Sequence, residues 1–339
     1  MNVLEVDLRT PGLIVRGIRA KDAFKTRETV RSMAARTPST VAAVNGDFFN
    51  IKTGESENNV VIEGDVIKGV GVTDSPYDTW SNLHSQFGID WKNHPFIDRF
   101  GLDAKVSVAR SSFRLDGINF RQDSASLVLY TRFIGDSAPV DTLGRDFLSV
   151  PVKLVSHRGN TMVYRVDGPM QRGGVMRLAQ GGAFAGGGKS RAALERLARY
   201  KGNIRVTTGL APDRGDIRTV VGGWPRLIRD GKRTAEYADI LEGTFPRFSS
   251  GRHPRTAIGF NRDSTKLIVL TVDGRRESDS GMSLVELADA MLQLGAYQAM
   301  AFDGGGSTTM VVEGNVVNRP SDKDGERPVG SALLVILSR

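Results

Sequence analysis

The stretch that decides the fold is GMSLVELADAMLQLGAYQAMAFDGGGSTTM, residues 281–310, and its centre is DGGGS at residues 303–307. Ser283 and Glu286 are spaced as a capping box, in which each side chain binds the other residue's backbone amide. Apolar residues then recur at helical spacing, so the pattern predicts a helix over residues 283–294. The apolar run AMAF is too short for a helix and predicts a buried strand that ends at Asp303. This order places a carboxylate and a glycine loop at a strand end.

The three consecutive glycines after Asp303 indicate a functional loop. A tight turn needs positive φ at one glycine, whereas three in a row cost additional chain entropy. Because glycine has no side chain, such a loop can leave its backbone amides open to a ligand. Beyond the loop, Gly314-Asn315 between two apolar segments predicts a hairpin over residues 308–318.

The layout of a buried strand followed by an Asx-Gly turn occurs twice more. Residues 40–44 run into NGDFF at residues 45–49, and residues 267–272 run into DGR at residues 273–275. We therefore expect the polar turn residues to converge at one rim of the fold. Those residues are Asn45, Asp47, Asp273 and Asp303.

The composition excludes several classes of site. The chain has 339 residues and no cysteine, which excludes disulfides, thiolate catalysis and cysteine metal sites. Its four histidines lack ligand spacing, so no cofactor is expected, although strand-end carboxylates would allow calcium as an alternative. No run approaches the ~18 apolar residues of a membrane span. The net charge of +8 is spread along the chain, which mildly favours an anionic substrate, and no nucleic acid is expected.

The first residues give an expectation about the compartment. Residues 1–7 alternate like a strand and carry no charged segment followed by an apolar one, so we expect no signal peptide in the chain as given. The protein is then cytoplasmic, or secreted or periplasmic if a leader has been removed. The sequence does not distinguish between these compartments, and it leaves the oligomeric state open.

The segment GGGKS at residues 186–190 invites comparison with a phosphate-binding P-loop. That loop requires a glycine five residues before its Gly-Lys pair, and here this position is Ala183. No apolar strand is evident before it. We therefore predict a flexible loop over residues 180–190 that leads into a helix over residues 190–200, and no nucleotide site.

Six segments taken together resemble the phosphodiester glycosidase family. They are NGDFF at residues 45–49, VGGWPRL at 221–227, RTAIG at 255–259, TVDGR at 271–275, DGGGSTTM at 303–310, and NRPSD at 318–322 with RPV at 327–329. The segments follow the family's order and span residues 3–337. Asp47 departs from the family, which often has a second glycine there, and residues 73–120 resemble an insertion. The resemblance implies cleavage of a sugar–phosphate glycosidic link, with a sugar-phosphate small molecule or a glycopolymer as the expected substrate, and it leaves the sugar and the aglycone open.

The chemistry of such a cleavage assigns roles to the candidate residues. A cation-like sugar needs a carboxylate to stabilise or trap it, water needs a base, and the phosphate needs cationic or amide donors. The expected catalytic residues are Asp303, Asp273 and Asp47. The expected substrate-binding residues are Asn45, Gly46, Gly222, Gly223, Arg255, Arg275, Gly304, Gly305, Gly306, Ser307, Thr308 and Arg327.

Several of these residues have a structural alternative. Arg255 is also compatible with a surface position at a strand edge, and Arg275 with solvation beside Arg276. Arg327 is equally compatible with a salt bridge to the C-terminal segment. His253 fits acid–base catalysis and a bystander position equally well.

These expectations combine into one fold and one leading function. We predict a single α+β domain over residues 1–339 with an insertion at 73–120. Its helices lie outside a curved mixed β-sheet or partly closed barrel and cover residues 26–36, 190–200 and 283–294. The leading function, implied by the resemblance, is hydrolysis of a glycosyl-1-phosphodiester to free sugar and a phosphate monoester. The alternatives are a phosphodiesterase that attacks phosphorus and a non-catalytic protein that sequesters a phosphorylated or nucleotide-derived sugar.

Overall fold

A computed structural model of the protein describes residues 1–72, 83–123, 125–138, 147–173, 176–178 and 181–338. Of these residues, 46% lie in β-structure and 16% in helices, so the protein is mostly β. The predicted α+β fold with one curved sheet or partly closed barrel was wrong in this respect, because the strands form several sheets. Part of the difference comes from residues 85–118, whose polar sequence lacks a clear pattern and nevertheless forms five strands.

The elements are numbered in chain order. The strands are β1 (Asn2–Asp7), β2 (Leu13–Arg19), β3 (Thr40–Asn45), β4 (Val60–Ile62), β5 (Asp65–Val70), β6 (Ser85–Asp90), β7 (Pro95–Arg99), β8 (Gly101–Val108), β9 (Ser111–Arg114), β10 (Gly117–Ile118), β11 (Val128–Thr131), β12 (Ser137–Ala138), β13 (Leu148–Arg158), β14 (Thr161–Val166), β15 (Gln171–Arg172), β16 (Met176–Arg177), β17 (Gly181–Gly186), β18 (Ile204–Ala211), β19 (Ile217–Gly222), β20 (Arg226–Arg229), β21 (Lys232–Arg233), β22 (Arg255–Phe260), β23 (Lys266–Val272), β24 (Gln298–Phe302), β25 (Met310–Val312), β26 (Asn315–Val316) and β27 (Ser331–Leu337). The α-helices are α1 (Val30–Ala35), α2 (Arg191–Arg199), α3 (Ala238–Glu242), α4 (Pro246–Ser249) and α5 (Leu284–Gln293). Short 3₁₀ turns cover Ala20–Asp22, Arg132–Ile134, Gly188–Ser190, Ala235–Tyr237 and Gly305–Ser307.

The chain forms two compact units, and the first comprises Met1–Glu63, Thr73–Phe100 and Gly215–Arg339. It contains a six-stranded sheet in the order β1-β23-β22-β24-β20-β21 and a five-stranded sheet in the order β2-β27-β3-β25-β26. One apolar cluster joins residues of both sheets, among them Val44 of β3, Ile258 of β22 and Leu333 of β27. Burial of this apolar surface is the main stabilising contribution to the unit.

Two helices of the first unit, α5 and α1, pack on these sheets. The apolar face of α5 packs on the six-stranded sheet, and Ser283 and Glu286 form the predicted capping box at its start. The helix predicted over residues 26–36 is shorter, because α1 begins only after Thr29. Before it, Glu28 makes a backbone bridge with Val329, which holds that residue in an extended conformation.

The second unit comprises Gly64–Val72 and Gly101–Arg214. Its strands follow the order β5-β10-β11-β17-β13-β14-β18-β8-β9, with a separate pair formed by β12 and β16. The helix predicted over residues 190–200 is present as α2. The single domain over residues 1–339 and the insertion at 73–120 stay predictions, and residues 73–82 of that insertion lie outside the described residues.

The predicted flexible loop at residues 180–190 was wrong over its first half. Residues 181–186 form the buried strand β17, which pairs with β11 and β13. The glycines are needed because neighbouring strands approach closely. A Cβ on Gly181 would overlap the carbonyl of Val152, and one on Gly182 would overlap the carbonyl of Tyr130.

Candidate functional site

The ends of β3 and β24 meet in the first unit. The side-chain amide of Asn45 donates a hydrogen bond of 2.7 Å to the carbonyl of Asp303. The amide of Asp303 donates one of 3.1 Å to the carbonyl of Gly46. The structure therefore brings together two of the three strand ends that the sequence analysis singled out.

Asn45 uses its side chain to hold this junction rather than to face a ligand. It is fully buried, and its Oδ1 accepts hydrogen bonds from the Thr256 hydroxyl at 2.8 Å and the Thr309 amide at 3.1 Å. The side chain thus ties β3 to β22 and to both ends of the glycine loop. Its proposed contact with substrate is less well supported than a positioning role.

Asp303 is the predicted catalytic carboxyl that lies beside the glycine loop. It is half-buried, and its Oδ1 accepts a hydrogen bond of 2.8 Å from the amide of Gly304. Burial raises the pKa of Asp303 to about 6, although a hydrogen bond from Ser307 and the charges of Arg327 and Arg275 act in the opposite direction. A carboxyl with this pKa can take up and release a proton near neutral pH.

The glycine loop at residues 304–306 is shaped by close neighbours. A Cβ on Gly304 would lie 2.7 Å from the carbonyl of Pro254, and one on Gly306 would overlap the side chains of Asp322 and Arg327. Gly305 has a φ of +61°, which L side chains rarely adopt. Each of the three glycines therefore has its own steric or conformational reason.

Most of the loop amides serve the protein itself. The amide of Gly304 donates to the Asp303 carboxyl and that of Gly305 to the carbonyl of Pro254 at 2.8 Å. The amides of Ser307 and Thr308 close the 3₁₀ turn on Gly304 and Gly305. Within the part of the chain that the structure describes, Gly306 has the one amide of residues 304–308 without an acceptor. The expected row of open amides is thus reduced to one.

In the part of the chain that the structure describes, Arg275 is a cation that remains available at this rim. Its side chain is exposed, its φ is +63°, and its guanidinium lies over the loop, where a Cβ on Gly305 would be 2.9 Å from its Nη2. It makes no hydrogen bond or ion pair with any described residue, while its charge lowers the pKa of Asp303. This environment suits an arginine that receives an anionic ligand.

Arg327, by contrast, has its charge compensated. Its guanidinium forms a bidentate pair with Asp322 through bonds of 2.7 and 2.9 Å, and its Nη1 lies 3.5 Å from the Ser307 hydroxyl. Arg327 therefore positions Ser307, which in turn binds Asp303. This geometry matches the salt-bridge alternative.

Arg255 is buried rather than exposed at a strand edge. Its Nε donates to the carbonyl of Met282 at 2.9 Å, and its Nη2 donates to the carbonyls of Phe248 and Gly251 at 2.6 and 2.9 Å. Burial, and secondarily the charge of Arg275, lowers the pKa of Arg255 to about 10. The side chain therefore braces the loop before β22 and leaves only Nη1 for a ligand.

Asp47 is committed to the protein interior. Its carboxylate accepts hydrogen bonds of 2.9 and 2.8 Å from the backbone and side-chain amides of Asn58, and it is 2% exposed. Gly222 makes room for it, since a Cβ there would lie 2.5 Å from the carboxylate. Gly223 and Gly46 likewise pack against backbone or side-chain atoms of the first unit.

Asp273 is connected to the glycine loop through the side chain of Asn318. Its Oδ1 accepts hydrogen bonds from the Asn318 side chain at 3.2 Å and the Arg319 amide at 2.9 Å. Asn318 also donates to the carbonyl of Thr308 at 3.0 Å, so the pair supports the far end of the loop. Thr308 is buried, and within the described residues its hydroxyl has no partner. His253 braces another loop, with Nε2 3.2 Å from the carbonyl of Arg247.

The sequence analysis missed an aromatic cluster beside this rim, formed by Phe48, Trp224, Phe245 and Phe248. The Trp224 and Phe248 rings stack at 4.8 Å, while Phe48 and Phe245 lie 5.8 Å from Trp224 and 5.7 Å from Phe248, respectively. The Arg255 guanidinium lies 4.8 Å from the Phe248 ring. The signal was the pair of phenylalanines three positions apart in an otherwise polar segment.

Neither a metal site nor a membrane span is evident in the described part of the chain. There, no three or more Asp, Glu, His or Cys side chains are grouped so that they could hold a metal ion. No helix among the described residues is both long and apolar enough to cross a membrane. The calcium alternative stays untested.

Comparison with known proteins identifies the family. The phosphodiester glycosidase family profile matches residues 156–336, which is more than half of the chain. The chain therefore belongs to the phosphodiester glycosidase family, and the resemblance seen in the six sequence segments is confirmed.

The individual relatives match over shorter stretches. The SPbeta prophage-derived uncharacterized protein YomE of Bacillus subtilis (strain 168) is 35% identical over 126 residues, 36% of this chain and 18% of that protein. The N-acetylglucosamine-1-phosphodiester alpha-N-acetylglucosaminidase of Bos taurus is 31% identical over 172 residues, 45% of this chain and 32% of that protein. A crystal structure of a hypothetical protein from Synechocystis shares the fold, with a TM-score of 0.79 at 19% identity over 99% of this chain and 59% of that one. The chain spans less than a third of the length of these two curated relatives.

Proposed function

We propose that the protein hydrolyses a glycosyl-1-phosphodiester and releases free sugar and a phosphate monoester. The observation that carries this proposal is the half-buried Asp303 carboxyl, with a pKa of about 6, beside the guanidinium of Arg275, which has no hydrogen-bond or ion-pair partner among the described residues. Membership of the phosphodiester glycosidase family supports it. The bovine relative's name points to N-acetylglucosamine as the first sugar to test.

The proposed reaction divides the work between these two side chains. Arg275, with the amide of Gly306, binds the phosphate, and Asp303 in its ionised form accepts a proton from water. The oxygen of that water bonds to the anomeric carbon while the bond from this carbon to the phosphate oxygen breaks. The phosphate leaves with the bonding electron pair, and it needs little acid assistance because it is a good leaving group.

The proposal uses one of the three predicted catalytic aspartates, Asp303. Asp47 and Asp273 bind backbone or side-chain amides of the protein, which favours a structural role for both. The proposal therefore uses a single carboxyl, in contrast to the paired carboxylates of most glycosidases. One carboxyl is sufficient in this proposal because phosphate is a good leaving group and needs no second carboxyl as an acid.

The first experiment is turnover of a panel of sugar-1-phosphodiesters, including N-acetylglucosamine 1-phosphate esters, in oxygen-labelled water. We expect free sugar that carries the label, and we expect Asp303→Asn to abolish its release. Asp263→Asn is the matched control, because Asp263 is an exposed turn carboxylate that binds the Thr265 hydroxyl. Label in the phosphate would instead establish attack at phosphorus, and binding without turnover would establish sequestration.

A further inference from the structure

The aromatic cluster continues into an exposed apolar surface. Phe245 is 54% exposed and its ring lies 6.3 Å from the ring of the partly exposed Trp224, while Leu241 in α3 is 43% exposed. The Nε1 of Trp224 is bound at 2.6 Å to the carbonyl of Glu242, the residue after Leu241, which fixes the ring beside this segment. An exposed phenylalanine that continues a larger aromatic cluster is typical of a binding surface.

This surface leads directly to the phosphate-binding end of the site. Phe245 contacts Phe248, and the Phe248 ring lies under the guanidinium of Arg255. Arg255 follows Pro254, whose carbonyl accepts the Gly305 amide at 2.8 Å, and Arg275 lies over this same loop, which follows Asp303. The order along the surface is therefore apolar, cationic and carboxyl.

A glycosyl phospholipid carries groups that match these three regions in the same order. Its hydrocarbon chain is joined to an anionic phosphate, which is joined to the anomeric carbon. With the phosphate at Arg275 and the anomeric carbon at Asp303, the chain extends over Phe248 and Phe245. A nucleotide or sugar-polymer aglycone would instead need hydrogen-bond donors and acceptors at this position.

We propose that the surface formed by Trp224, Leu241, Phe245 and Phe248 binds a linear hydrocarbon chain carried by the leaving phosphate. This inference rests on the proposed function and narrows its substrate class to glycosyl phospholipids. The inference is tested by measuring the binding of alkyl phosphates, and this measurement does not depend on hydrolysis.

The test compares decyl phosphate, below its micellar concentration, with methyl phosphate by calorimetry on the wild-type protein. Each methylene buried favours binding by about fourfold, so partial burial of the chain predicts at least about tenfold tighter binding of decyl phosphate. Phe245→Ser should remove most of this preference. The control Val155→Ser, which removes an apolar side chain that is 51% exposed in the second unit, should keep it.

Two results would overturn the inference. One is equal affinity of the wild type for the two phosphates, and the other is an undiminished preference in Phe245→Ser. Hydrolysis of short-chain phosphodiesters would continue in either case if the proposed function is right. Chain-length preference without any hydrolysis would reject the enzyme and keep the lipid-binding surface.

Discussion

Replacing Asp303 by asparagine should stabilise the folded protein as well as inactivate it. The pKa of the carboxyl is about 6 in the folded protein, against an ordinary value of 3.8. One pKa unit corresponds to about 1.4 kcal/mol, so ionising this carboxyl in the folded state costs about 3 kcal/mol. The folded protein therefore loses up to about 3 kcal/mol of stability as the pH rises from about 4 to above 6. Asparagine keeps the shape and stays neutral, so the variant avoids this loss.

The assay is chemical unfolding followed by tryptophan fluorescence between about pH 4 and about pH 8. The stability of Asp303→Asn relative to wild type should rise across the interval from about pH 4 to about pH 6 and stay level above it. Asp263→Asn, which removes an exposed carboxylate elsewhere in the first unit, is the control variant. A pH-independent difference for Asp303→Asn would refute the claim that burial dominates the environment of this carboxyl.

The remaining predictions concern the cation and the interior glycine. Arg275→Gln should raise the KM for a phosphodiester at least about tenfold. It should also shift the acid limb of the kcat/KM profile to higher pH, because the positive charge of Arg275 lowers the pKa of Asp303 and its removal lets that pKa rise. An unchanged pH profile would contradict the claim that the charge of Arg275 acts on Asp303. Gly222→Ala should cost about 1–3 kcal/mol of unfolding free energy, because its Cβ would lie 2.5 Å from the carboxylate of Asp47. Gly209→Ala is the control, since its nearest neighbour would lie at 3.5 Å, and equal costs for the two variants would contradict the steric argument.

Local signals predicted the elements around the site well. The capping box of Ser283 and Glu286 forms as expected, and the strand before Asp303 begins and ends within one residue of its prediction. Such features depend on residues that are close in sequence. The meeting of Asn45 with Asp303 was also predictable, because both follow short buried strands and polar turns tend to gather at the end of a sheet.

Features that depend on distant partners were not predictable. Nothing near Asp47 in sequence indicates that its carboxylate would fill the space left by Gly222. Likewise, the glycine loop suggested open amides, but the acceptor for Gly305 is the carbonyl of Pro254, which β22 brings to it. The strands between residues 85 and 118 were missed because their apolar alternation is weak and only pairing makes them visible.

The bond between Asn45 and Asp303 has a consequence for the synthesis of the protein. It joins residues 258 positions apart, and the same asparagine also accepts from the amide of Thr309. A ribosome therefore has to translate past Thr309 before the junction can close, and contacts of such long range form late in folding. A shortened product that ends before this point would retain Asn45 and the aromatic residues without a working site. Activity should thus require synthesis of the chain through Thr309.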